Sequence, residues 1–103
     1  MEQVAKHIIF VGRVQGVGFR FTARSIANRH NLTGMVRNVP DGTVEMLAQG
    51  HPDDVSDCIE DIKESFKFSL NRTNIQDVPY NPKYTDFVIT FWTQREWIKN
   101  PPN

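Results

Sequence analysis

Residues 7–30 read HIIFVGRVQGVGFRFTARSIANRH, and the change of rhythm inside this stretch decides the fold. From His7 to Val14 the chain is rich in β-branched and aromatic side chains, the composition of a strand. Gly16-Val17-Gly18 breaks that pattern. From Phe19 to His30 the apolar residues are Phe19, Ala23, Ile26 and Ala27, spaced i, i+4, i+7 and i+8 on one helical face. Asn31 and Gly34 bracket the helix end. A strand thus feeds a helix through a glycine loop.

Working outward, Gly34 to Val39 reads as a second strand and Thr43 to Gln49 as a third, with Val44, Met46 and Ala48 alternating on one face. Pro40-Asp41-Gly42 joins them as a turn, proline restricting φ and glycine accepting positive φ. His51-Pro52-Asp53-Asp54 opens a second helix, with Val55, Cys58, Ile59, Ile62 and Phe66 at helical spacing. Thr73 to Val78 carries the faintest strand signal. Phe87, Ile89 and Phe91 alternate with Val88, Thr90 and Trp92 in a last strand. The order is β-α-β-β-α-β, with an extra short strand before the last. This predicts a ferredoxin-like α+β sandwich, its mostly antiparallel sheet covered on one face by two helices. The domain is expected over residues 1–93. The tail from Gln94 to Asn103, ending Asn-Pro-Pro-Asn, is expected to fray.

Composition narrows the function. The 103 residues suit one domain, and 39% apolar with 23% charged residues describes a globular chain. A formal net charge of zero argues against a partner that is a long polyanion, so no nucleic-acid partner is expected. The balance is uneven: residues 1–50 hold six basic and three acidic side chains, residues 51–103 six basic and nine acidic. A small anion site fits the first half. The single Cys58 falls on the apolar stripe of the second helix, His7, His30 and His51 lack ligand spacing, and no metal or cofactor is expected. Ile8-Ile9-Phe10-Val11 is too short for a membrane span or signal core, which points to a cytoplasmic protein with no membrane partner.

The loop from Gly12 to Arg20 is neither a Walker loop nor a dinucleotide fingerprint, since its glycines stand at 12, 16 and 18. Two readings stand. One is a tight turn that needs positive φ. The other is an anion cradle, in which loop N–H groups and the helix dipole converge on a phosphate. Arg20 favours the second. A cation in the first helical turn opposes the dipole, and from Phe19 to Arg24 there is no carboxylate to offset it. Its planar fork suits two phosphate oxygens. Asn38, a polar residue in strand parity with Val36, belongs either to the following turn or to the mouth of the loop, where its amide would position a water. No Ser–His–Asp or Cys–His arrangement accompanies these residues, so any hydrolysis is expected to use water directly.

Gly12-Arg13-Val14-Gln15-Gly16-Val17-Gly18-Phe19-Arg20, together with Gly34-Met35-Val36-Arg37-Asn38 and Asp41-Gly42-Thr43-Val44-Glu45, resembles the acylphosphatase family over residues 5–93. The resemblance implies hydrolysis of acyl phosphates to a carboxylate and phosphate. It implies a phosphate cradle from Gln15, Gly16, Val17, Gly18, Phe19 and Arg20, with Arg20 binding phosphate and Asn38 orienting water. It implies no metal, and a monomeric enzyme acting on a small molecule is expected. Met35 stands where the family often has tryptophan, and the stretch from Phe66 to Tyr84 and the chain after Phe91 depart from the usual pattern. Two other classes compete: a phosphate-binding module within an assembly, and an RNA-binding domain of the same fold. The third strand lacks the aromatic platform the latter needs.

Overall fold

A computed structural model describes residues 2–92. The elements run β1 (Val4–Gly12), α1 (Phe19–Arg29), β2 (Thr33–Asn38), β3 (Val44–Gly50), α2 (Pro52–Ser65), β4 (Leu70–Val78) and β5 (Phe87–Ile89). They form one five-stranded sheet in the order β4-β1-β3-β2-β5. β1–β3, β1–β4 and β2–β3 are antiparallel, and β2–β5 is parallel. Helix α1 packs on β2 and β5, and α2 on β1 and β3. Ile8, Phe10, Val36, Val44, Met46 and Ala48 face the helices and are buried against Ala23, Ile26, Val55, Cys58 and Ile62. This is the ferredoxin-like α+β sandwich.

Two expectations change. The faint strand is in fact a full edge strand: β4 begins at Leu70 and pairs along β1 from Ala5↔Val78 to Gly12↔Leu70. Its side chains are mostly exposed, so it lacks the alternation that marks a half-buried strand. The last strand is shorter than its alternation suggests. It stops at Ile89, the last residue in register with β2, whose pairing runs from Gly34↔Phe87 to Val36↔Ile89. One more bond, from the Thr90 N–H to the Val36 carbonyl at 2.9 Å, carries the chain past the strand end. In the sheet β3 separates β2 from β1, so that Asn38 faces Val44 and Val44 faces Phe10. The tail expected from Gln94 lies outside the described residues.

Gly12 closes β1 at a register shift. A Cβ there would collide with the Ser69 carbonyl, and the next residue, Arg13, donates its N–H to that carbonyl at 2.9 Å. Close backbone approach, with φ at +144°, demands glycine at this position. The chain leaves the sheet here and enters the loop.

Candidate active site

The loop ends where Phe19 enters the core. Its ring lies 4.8 Å from that of Phe10 and 4.5 Å from that of Phe66, centroid to centroid. These aromatic contacts anchor the first residue of α1, and so the helix start cannot drift. Gly18 caps the helix in the left-handed region (φ +77°), with no side-chain cap and no acidic residue in the first turn. Gly16 is also left-handed, at +75°. A Cβ on either glycine would meet open space, so conformation and not crowding selects glycine at both. The first intrahelical bond runs from Thr22 N–H to Gly18 C=O. The N–H groups of Phe19, Arg20 and Phe21 therefore have no intrahelical acceptor, and the positive end of the helix is unopposed.

The hairpin end is rigid in its own right. Val39 N–H donates to the Thr43 carbonyl at 2.9 Å and Gly42 N–H to the Val39 carbonyl at 3.0 Å. Asp41 Oδ1 accepts from both the N–H and the hydroxyl of Thr43. Gln15 joins loop to hairpin: its amide nitrogen donates to the Val39 and Thr43 carbonyls, each at 2.8 Å. That cross-link carries Asn38 to the loop even though β3 stands between β2 and β1.

Gln15, Arg20, Asn38, Val39, Pro40, Phe91 and Trp92 line one cavity of about 370 Å³. The structure thus brings together Gln15, Arg20 and Asn38 from the expected set. The side chains of Val17 and Phe19 do not join them: Val17 is exposed and Phe19 is buried in the core. Among the described residues no carboxylate pairs with Arg20, whose guanidinium lies 5.7 Å from the centre of the Phe91 ring. Asn38 Oδ1 is buried and has no hydrogen-bond partner among the described residues. A buried acceptor in that position costs about 1–3 kcal/mol unless something in the cavity donates to it.

Pro40, Phe91 and Trp92 were not singled out from the sequence. Phe91 and Trp92 read as continuing strand alternation, and only the departure from the family pattern after Phe91 set Trp92 apart. Cys58 is fully buried, and burial, reinforced by Asp61 against the opposing charge of Arg29, pushes its thiol up to about 12. It is core, not a nucleophile. Among the described residues no group of three His, Cys, Asp or Glu is placed to hold a metal ion, and no helix is long and apolar enough to cross a membrane.

Comparison with known proteins gives the family. The sequence profile of the acylphosphatase family matches residues 6–89. An acylphosphatase of Geobacillus thermodenitrificans is 41% identical over 86 residues, covering 82% of this chain and 92% of the relative. One from Bacillus velezensis is 43% identical over 86 residues, covering 82% and 96%. The crystal structure of acylphosphatase from Bacillus subtilis superposes with a TM-score of 0.78 at 33% identity, covering 84% of this chain and 98% of that one. Full-length HypF in its phosphate- and nucleotide-bound form gives 0.76 at 30% identity, covering 86% of this chain but 12% of that much longer one. With profile, relatives and fold in agreement across most of its length, the chain belongs to the acylphosphatase family.

Proposed function

We propose that this chain hydrolyses acyl phosphates by direct attack of water. The phosphate is held by the loop from Gln15 to Phe19, the free N–H groups at the start of α1 and the Arg20 guanidinium. The Asn38 amide orients the water. The observation that carries this reading is that Arg20, unpaired by any described carboxylate, and Asn38, with its unpartnered Oδ1, line one cavity at an uncapped helix start. Oδ1 accepts a hydrogen from the water and so aims a lone pair at phosphorus. As the new P–O bond forms, the P–O bond to the acyl group breaks and its electron pair leaves with the carboxylate. Both protons of the water end on the phosphate product or in solvent.

The demands of this step match the residues. A carboxylate is a good leaving group and needs no strong acid. What remains is charge neutralisation on the equatorial oxygens and alignment of the nucleophile. Arg20 and fixed backbone N–H groups provide the first without reorganising. We read the enzyme as metal-independent and cytosolic. A nucleic-acid role is disfavoured by the exposed side of β1 and β3. There Glu45 sits between His7 and Arg37, where an RNA-binding sheet would present stacking aromatics.

The test is hydrolysis of benzoyl phosphate in the presence of a chelator. Arg20→Gln and Asn38→Ala are each expected to lower kcat/KM by about 100-fold or more while the far-ultraviolet circular dichroism is unchanged. Full activity in either variant overturns the assignment. The similarity to HypF, in which a comparable unit occupies a small part of a longer chain, favours one second reading, a phosphate-binding module. Phosphate binding in calorimetry with no turnover of any acyl phosphate would establish it instead.

A further inference from the structure

The lining of the cavity divides by chemistry. Gln15, Arg20 and Asn38 are polar, and Gln15 is committed to two carbonyls. Pro40, Phe91 and Trp92 are apolar, more wall than a phosphate and a water require. Phe91 is 69% exposed, a large ring left in water at the edge of an anion site.

We propose that Phe91, Trp92 and Pro40 form the acyl-binding arm of this site, and that the arm selects acyl phosphates with a flat apolar acyl group, aromatic ones above all, over small or anionic ones. The inference rests on the acylphosphatase reading and adds the substrate class to it. Both rings stand on cations. Phe91 lies beside Arg20, and the Arg37 guanidinium lies 4.4 Å from the Trp92 ring centre. Arg37 is fixed in turn by a 2.6 Å bond from its Nε to Glu45 Oε1. A wall held in this way loses little freedom when a ligand arrives. Covering the exposed Phe91 face removes apolar surface from water, which a phenyl group does and a methyl group scarcely does.

Charge argues the same way. Among the described residues Arg20 is the one cationic side chain in the lining, and the phosphate takes it. A second carboxylate on the acyl chain would lie against Pro40, Phe91 and Trp92 without a second cationic partner among the described lining residues, and desolvating it there is unfavourable. The cavity volume, about 370 Å³, lies within the range of small-molecule sites.

The experiment is steady-state kinetics with benzoyl, acetyl and succinyl phosphate on the wild type, Phe91→Ala and Phe91→Tyr. Benzoyl phosphate is expected to have the highest kcat/KM and succinyl phosphate the lowest. Phe91→Ala is expected to cut the benzoyl-to-acetyl ratio of kcat/KM about tenfold, chiefly through KM, and Phe91→Tyr to restore it. An unchanged ratio overturns the proposal. If both substrates lose equally, Phe91 acts only by propping Arg20; if neither loses, it plays no part. Should the wild type hydrolyse none of the three, the acylphosphatase reading fails by itself, and calorimetry with phenylphosphonate and methylphosphonate decides the arm. About tenfold tighter binding of the phenyl compound, lost in Phe91→Ala, upholds it; equal binding overturns it.

Discussion

The amide nitrogen of Gln15 donates to the carbonyl of Val39 at 2.8 Å, fastening the middle of the glycine loop to the residue that follows Asn38. The same nitrogen reaches the Thr43 carbonyl, so a single side chain spans the loop and both sides of the hairpin. The distance between the proposed phosphate cradle and the proposed water-orienting amide depends on this bridge.

Replacing Gln15 by Glu retains its size but removes both donated bonds and sets a negative charge beside the anion site. Unfolding free energy is expected to fall by about 1–3 kcal/mol. In kinetics, kcat/KM should drop with KM for the acyl phosphate raised, more strongly than in Gln15→Ala, because only the charged variant also repels the substrate. Urea titration and initial rates on the two variants check both halves of this expectation.

Gly18 and Gly12 separate two uses of glycine. At Gly18 a methyl group meets no neighbour, so Gly18→Ala should cost only the left-handed backbone penalty, about 1–2 kcal/mol. At Gly12 the methyl collides with the Ser69 carbonyl and crowds the Asn71 backbone where β1 and β4 meet. Gly12→Ala is expected to cost about 3 kcal/mol or more, since backbone and not a flexible side chain must give way. Thermal denaturation of both variants gives the comparison, and a milder loss at Gly12 than at Gly18 would contradict the described approach.

Glu45 makes stability depend on acidity. Burial alone pushes its carboxyl up, but the hydrogen bonds from His7 and Arg37, with their charge, outweigh burial and hold the carboxyl below its usual range. A depressed carboxyl stabilises the fold above its unfolded value, about 4.3, and that contribution is lost as pH falls through the lower folded value. Glu45→Gln should therefore be less stable than the wild type near neutrality, by about 2 kcal/mol. Urea midpoints measured at about pH 7 and about pH 3 should show that difference shrinking at the acid end.

Gln49 and Asn81 bind each other twice. The Gln49 amide nitrogen donates to the Asn81 carbonyl at 2.8 Å and its Oε1 accepts the Asn81 N–H at 2.9 Å. Gln49 is 1% exposed, so this bond pair straps residues 79–86 across the end of the sheet away from water. Gln49→Leu, similar in bulk, should lose about 2–4 kcal/mol by stranding both Asn81 groups. Limited proteolysis is expected to cut within 79–86 in that variant before the wild type is cut there.

Local sequence determined what local physics governs. The i, i+4, i+7, i+8 spacing of Phe19, Ala23, Ile26 and Ala27 specifies α1 and its buried face, and those four residues are the buried ones. Glycines at 16 and 18 mark left-handed positions, and Pro40-Asp41-Gly42 marks the hairpin turn. Tertiary structure decided what depends on partners distant in the chain. β4 is held by backbone pairing to β1, with side chains such as Asn71, Arg72 and Asn74 left in water, so its sequence has little reason to alternate. β5 ends with its pairing to β2 at Val36↔Ile89, although Phe91 and Trp92 keep the strand rhythm. Nor does spacing reveal that Phe91 comes beside Arg20, or that Gln15 spans the gap to Val39, because both meetings arise only when the sheet brings the C-terminal ends of β1, β2 and β5 to one end of the strands.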